Sequence, residues 1–169
     1  GYANLYKENI KTNSVSLADI DNTGEQRFEL FGVQAVNKDG ESDIMPSNSI
    51  IMGDAYTLPF ADSFAGGKLA YNIWYSERTG ANGFALNDKT SADNDGGCIS
   101  FQAAEAKAIA SFCSGKIALG GCDSPVLTFD YYCNPGSEDV LLAEINRAYI
   151  DTTAVMTIDF SKETGVAGW

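Results

Sequence analysis

The sequence predicts an all-β protein made of antiparallel β-sandwiches. Two observations predict it: many short apolar runs of strand length, and clusters of Gly, Pro, Asn and Asp that punctuate them. The first run covers residues 14–20, where Val15, Leu17 and Asp19 alternate with Ser16, Ala18 and Ile20. Asp21-Asn22-Thr23-Gly24 then reads as a turn, followed by a longer strand over 27–37. Phe28, Leu30 and Val36 share one face of that strand, and Phe31, Val33 and Ala35 share the other. Apolar residues on both faces place it inside a sandwich rather than at an open edge. Lys38-Asp39-Gly40 supplies a hairpin turn, because Gly accepts the backbone angles such turns demand. A short strand over 48–52 ends at Gly53.

From Tyr56 the composition becomes richer in aromatic residues and glycine. Strands are expected around Tyr71-Asn72-Ile73-Trp74-Tyr75, Cys98-Ile99-Ser100-Phe101, residues 111–119, residues 124–132 and residues 155–160. A polar, Gly-rich loop over 77–95 separates the first two. Two segments pull the other way. Residues 103–110 are rich in Ala, Glu and Lys, which are good helix formers. Residues 137–149 carry a capping Ser137, acids in the first turn, and Leu141, Leu142, Ile145 and Tyr149 at helical spacing.

Composition narrows the function classes. The 169 residues include 44% hydrophobic side chains, so wholesale disorder is not expected. Twenty-three acidic against 11 basic residues give a net charge of −12. Nucleic acid is a poor partner for that surface, since phosphates call for Lys and Arg. An anionic membrane surface is equally poor, and no run of about 18 apolar residues is present to span a bilayer. The chain contains no histidine, which removes the commonest general base and imidazole metal ligands. Gly1 stands where an initiator Met would, and no leader pattern precedes it, so the chain reads as an excised piece of a larger protein.

Cys98, Cys113, Cys122 and Cys133 lack C-x-x-C spacing, which argues against zinc or a thioredoxin-like motif. Cys122 and Cys133 stand at opposite ends of a segment that reads as one extended strand, out of disulfide reach. A Cys98–Cys113 bridge across neighbouring strands is geometrically possible, and buried free thiols are the alternative.

Residues 1–53 resemble the fibronectin type III family. The likeness rests on Phe31-x-Val33-x-Ala35-Val36-Asn37-Lys38-Asp39-Gly40-Glu41-Ser42 and Pro46-Ser47-Asn48, which look like the last two strands of that sandwich. Glu29 departs from the family, whose tyrosine two residues before Phe31 makes a corner hydrogen bond. The first strands of the module are also missing. Residues 54–169 carry, in order, Leu58-Pro59-Phe60-x-Asp62-Ser63-Phe64, Trp74, Asp95-Gly96-Gly97-x-Ile99-Ser100-Phe101, Ser114-Gly115-Lys116-Ile117-x-Leu119, Pro125-x-Leu127-x-Phe129-x-Tyr131-Tyr132, Thr157-Ile158-Asp159-Phe160 and Gly168-Trp169. By these motifs the region resembles the jelly-roll modules related to MAM and concanavalin-like domains of bacterial surface proteins. This resemblance implies that residues 141–145 form a strand, against the helical spacing. It also implies a module cut before its closing strands.

Candidate chemistry follows from residue types. Asp93-Asn94-Asp95-Gly96 crowds oxygen ligands of the kind calcium prefers, without the full twelve-residue EF-hand pattern. Asp62 occupies a position where, by the resemblance, related jelly rolls put a structural calcium ligand. Ordinary turn formation explains the same residues. Tyr71, Trp74 and Tyr75 cluster as a candidate glycan-stacking group, with Tyr71 and Tyr75 expected on one face and Trp74 on the other. Core packing is the competing role for them. No carboxylate pair announces a glycosidase. The resulting expectation is a non-catalytic, extracellular or cell-surface module for adhesion or glycan recognition, with glycans or surface proteins as partners. Structural spacing of an attached extracellular hydrolase is the alternative. Uncovered strand edges in two cut modules make a homodimer possible.

Overall fold

The structure is a computed structural model. It describes residues 4–79, 83–103, 105–134, 136–147 and 151–159, with the side chains of 77–79, 146–147 and 151–159 outside the description. The fold is all-β. Apart from one 3-10 turn at Ala65–Gly67, the regular elements among the described residues are strands paired antiparallel.

Six of them make one long hairpin. Strands β1 (Arg27–Glu29), β2 (Gly32–Val33) and β3 (Val36–Asn37) run out; β4 (Gly40–Glu41), β5 (Met45–Pro46) and β6 (Ile50–Met52) run back. The pairs Phe28↔Ile51, Val33↔Met45 and Asn37↔Gly40 nest around the turn at Lys38 and Asp39. The expected strand over 27–37 is therefore present, but broken twice. The returning arm carries one more residue than the outgoing arm at each break, so the register slips there as in a β-bulge.

A serine manages each slip. Ser47 donates its N–H to the Phe31 carbonyl at 2.6 Å, and its hydroxyl oxygen accepts the Phe31 N–H at 3.1 Å. Ser42 repeats this against Ala35, at 2.9 and 3.0 Å. The hydroxyl stands in for the carbonyl that the bulge has displaced. At the turn, Asn37 Oδ1 accepts the N–H groups of Asp39 and Gly40, an Asx turn that closes the hairpin. Glu29, at the position of the resembled corner tyrosine, instead accepts a hydrogen bond from Arg27 Nε at 2.9 Å.

The sandwich interior expected around this strand is not what surrounds it. Val33 and Met45, direct cross-strand partners, are 71% and 73% exposed. Leu30 and Val36 are exposed too. A two-stranded ribbon has no second sheet to cover its faces, which is why the apolar alternation survives without burial.

The second region holds three further ladders. β7 (Trp74–Thr79) pairs with β10 (Ile109–Ser114), β8 (Phe84–Asn87) with β9 (Cys98–Phe101), and β11 (Val140–Arg147) with β12 (Asp151–Asp159). The strand implied over 141–145 is present. Leu141, Ala143 and Ile145 are half-buried, while Val140, Leu142 and Glu144 are exposed. That period of two replaces the helical spacing read from Leu141, Leu142 and Ile145. The Ala-rich segment 103–110 is not helical where described: Lys107 takes a left-handed φ of 65° and β10 begins at Ile109. Residues 14–20 and 124–132, expected as strands, are irregular in the structure. Cys122 and Cys133 are thus not the ends of a strand. Phe160, Gly168 and Trp169 lie outside the described residues.

The core is thin. Ile51, Ile73 and Cys133 are the buried apolar residues among those described, and Cys133 gathers Tyr131 and Leu141 around it. The accessible surface is 12994 Å², against about 8000 Å² for a compact monomer of this length. Among the described residues, large apolar side chains such as Val33, Met45, Ile109 and Val126 are exposed to water.

Candidate functional site

The aromatic cluster is assembled by β7, β10 and the segment that leads into them. β7 starts only at Trp74, so residues 71–73 bend rather than alternate. Trp74 stacks on Phe112 with ring centroids 4.8 Å apart and planes 9° apart. Trp74 opposes Ser114 in the ladder and Phe112 is two residues along, which makes the rings diagonal neighbours on one face. Phe64 meets Trp74 at 5.6 Å and Phe112 at 6.0 Å, both edge-on.

Phe60 extends the row. It lies 5.8 Å from Trp74 and 4.3 Å from Tyr71, and it stacks on Tyr56 at 5.4 Å. Tyr71 therefore belongs with Trp74, contrary to the expected grouping with Tyr75. The bend before β7 is the cause, since alternation applies only within an extended strand. Tyr75 does point to the face opposite Trp74, where it meets Phe28 of the hairpin edge-on at 5.5 Å. All six rings of the row, from Tyr56 to Phe112, are partly open to solvent. Ile73 between them is buried, and its N–H donates to the Tyr56 hydroxyl at 3.2 Å. The Tyr71 hydroxyl has no hydrogen-bond partner among the described residues.

Asp62 organises this row. Its Oδ1 accepts the Phe64 N–H at 2.9 Å, and its Oδ2 accepts both the Ala70 N–H and the Trp74 indole Nε1–H, each at 2.9 Å. The first bond is an Asx turn that holds Phe64 at a φ of 57°, a costly value for a bulky side chain. One carboxylate thus fixes a strained backbone and the orientation of the Trp74 ring.

Asp93 and Asp95 lie on the neighbouring loop. The Gly66 N–H donates to the Asp95 carbonyl at 3.4 Å, and Asp95 Oδ1 accepts the Gly97 N–H at 3.0 Å. Gly97 lies against the Phe64 carbonyl so closely that no side chain fits. Hydrogen bonding from Ser63 is the main cause that holds the Asp95 carboxyl below the usual aspartate range, aided by Asp93, Ser91 and the Gly97 N–H. The three acids named as calcium ligands are therefore brought to adjacent loops, but as acceptors for protein donors. Asp62 spends its oxygens on three N–H groups, and no group of three Asp, Glu or Cys side chains suited to a cation occurs among the described residues.

The thiols of Cys98 and Cys113 are free, as are those of Cys122 and Cys133. Cys98 sits on β9 opposite Asn87 and Cys113 on β10 opposite Tyr75, so the two strands are not the neighbours that a bridge required.

Phe60, Phe64 and Phe112 were not singled out from the sequence as part of this cluster. The signal for the first two was the spacing Phe60-x-Asp62-Ser63-Phe64, in which an Asx turn draws flanking rings together. Phe112 carried none, because its pairing with β7 spans the segment 77–95, which reads as a polar loop in the sequence but holds the end of β7 and all of β8. No helix among the described residues is long and apolar enough to cross a membrane. The chain matches no family model, and no curated protein or solved structure matches it either.

Proposed function

We propose that this chain is a non-catalytic adhesion or glycan-recognition module of an extracellular or cell-surface protein. In this reading residues 1–53 are a partial fibronectin type III-like unit and residues 54–169 a MAM-like jelly-roll unit. The observation that supports it is the Tyr71 ring, held against Tyr56 and Phe60 with part of its surface open to solvent and its hydroxyl without a hydrogen-bond partner among the described residues. A sugar ring offers an apolar face to such a ring and hydroxyls to its polar tip. Asp62 fixes the neighbouring Trp74, so the platform is ordered before a ligand arrives, which lowers the cost of binding. The absence of histidine from the sequence also favours binding over catalysis.

The test is a glycan-array screen of the 169-residue chain beside Tyr71→Ala and Tyr71→Phe. Selective binding that the first variant loses and the second weakens supports the reading. Binding that survives Tyr71→Ala refutes this platform as its site. A spacer role is the second reading, favoured by the exposed hairpin and its attachment to the body.

A further inference from the structure

The hairpin and the second region meet without a linker. Gln26, just before β1, is 4% exposed, and its carboxamide engages Lys116 in both directions. Gln26 Nε2 donates to the Lys116 carbonyl at 2.9 Å, and the Lys116 N–H donates to Gln26 Oε1 at 2.7 Å. An amide side chain has the same donor and acceptor as a peptide group, so Gln26 pairs with Lys116 as a strand residue would. The same Lys116 carbonyl accepts the Tyr56 N–H, and the Ala118 N–H donates to the Tyr56 carbonyl, both at 2.8 Å. Lys116 Nζ reaches the Gly53 carbonyl. On the hairpin side, the Asp54 N–H donates to the Gly24 carbonyl and the Gly24 N–H to Asp54 Oδ2. Phe28 against Tyr75 adds an apolar contact.

We infer that Gln26 is the key of a rigid joint that fixes the exposed 27–52 hairpin at one angle to the body of the protein. The joint holds whatever ligand the module takes, and it goes beyond the adhesive reading rather than depending on it. A buried amide with both groups paired gains little net energy but loses much when either partner is removed, so the contact specifies geometry. Gly115 is part of the fit. A Cβ there would lie 2.5 Å from Gln26 Oε1 and 3.0 Å from Ile73 Cβ, which leaves no room for alanine. Gly120, by contrast, has nothing within 4 Å.

The experiment is NMR relaxation of backbone amides in the full chain, comparing hairpin amides with those of β7 and β10. One shared rotational correlation time is expected for the native protein. Gln26→Leu and Gly115→Ala should split it into two, with faster hairpin motion, while Gly120→Ala keeps it single. Gln26→Glu gives a signature that mere loss of packing would not. Its carboxylate cannot donate to the Lys116 carbonyl at neutral pH, but a protonated carboxyl can, and burial raises the pH at which it protonates, so the shared value should return on mild acidification, before the fold's own aspartates titrate. Two correlation times in the native protein would overturn the joint. So would a single value retained in both Gln26→Leu and Gly115→Ala, or a Gln26→Glu variant that acid does not restore.

Discussion

Ser42 and Ser47 hold equivalent places at two bulges of one hairpin, each giving its N–H to a facing carbonyl and taking the facing N–H on its hydroxyl. The accepted N–H groups belong to Ala35 and Phe31, at 3.0 and 3.1 Å. Without the hydroxyl, each amide would turn to water. Ser47→Ala should accelerate hydrogen exchange at Phe31 alone, and Ser42→Ala at Ala35 alone. The stability cost should be about 0.5–1.5 kcal/mol each, the net worth of an exposed hydrogen bond. Amide exchange followed by NMR checks this; equal exchange at both sites in each single variant would contradict it.

Asp62 gathers three donors, so its removal should be felt well beyond one bond. Asp62→Ala leaves the Phe64 N–H, the Ala70 N–H and the Trp74 indole without their acceptor, at a cost of about 1–3 kcal/mol. Trp74 loses its orientation, and its emission should move to the red. Asp62→Asn should recover only part of the loss, since its amide nitrogen would face one of the donors. Urea denaturation read by tryptophan emission measures both effects.

Asp95 and Asp21 should each contribute to acid sensitivity. Hydrogen bonding from Ser63 lowers the Asp95 carboxyl in the folded protein, and bonding from Thr23 lowers that of Asp21. A depressed folded value stabilises the fold above the unfolded value of about 3.9, and this contribution is lost as pH falls through the folded value. Ser63→Ala should raise the Asp95 midpoint toward the unfolded value and leave Asp21 unmoved. Carboxyl carbon shifts across an acid titration report each midpoint separately.

The thiols give a direct chemical count. All four cysteines are free, with Cys133 buried and the other three half-buried. A thiol reagent should modify Cys98, Cys113 and Cys122 before Cys133 in the native protein, and all four under denaturant without reductant. A mass two hydrogens lower for a peptide pair joining Cys98 to Cys113 would contradict the fold at β9 and β10.

Turn chemistry and strand alternation were legible in the sequence where contacts are local. Lys38-Asp39-Gly40 closes the hairpin as expected, and the short strand ending at Gly53 is β6. The two breaks in the 27–37 strand were not legible, since a bulge depends on the count of residues in the returning arm. Residues 103–110 show propensity giving way to pairing: Ile109 and Ala110 join β10 because β7 offers a partner. At the site, Tyr71, Trp74 and Asp62 stood out by residue type. Their mutual geometry did not, because it depends on the Asx turn at Asp62 and on Phe112 arriving from a distant strand. Gln26 left no mark at all, since a glutamine that pairs with a backbone 90 residues away looks like any surface glutamine.

Binding through the aromatic row should depend on the Tyr71 ring. The native chain and Tyr71→Ala, both shown to be folded, are applied side by side to arrayed glycans and to immobilised surface proteins. The adhesive reading predicts selective retention of the native chain and at least about a tenfold loss in the variant, the equivalent of about 1.4 kcal/mol. A folded native chain that binds none of these surfaces, or binds them as well without the Tyr71 ring, would contradict it.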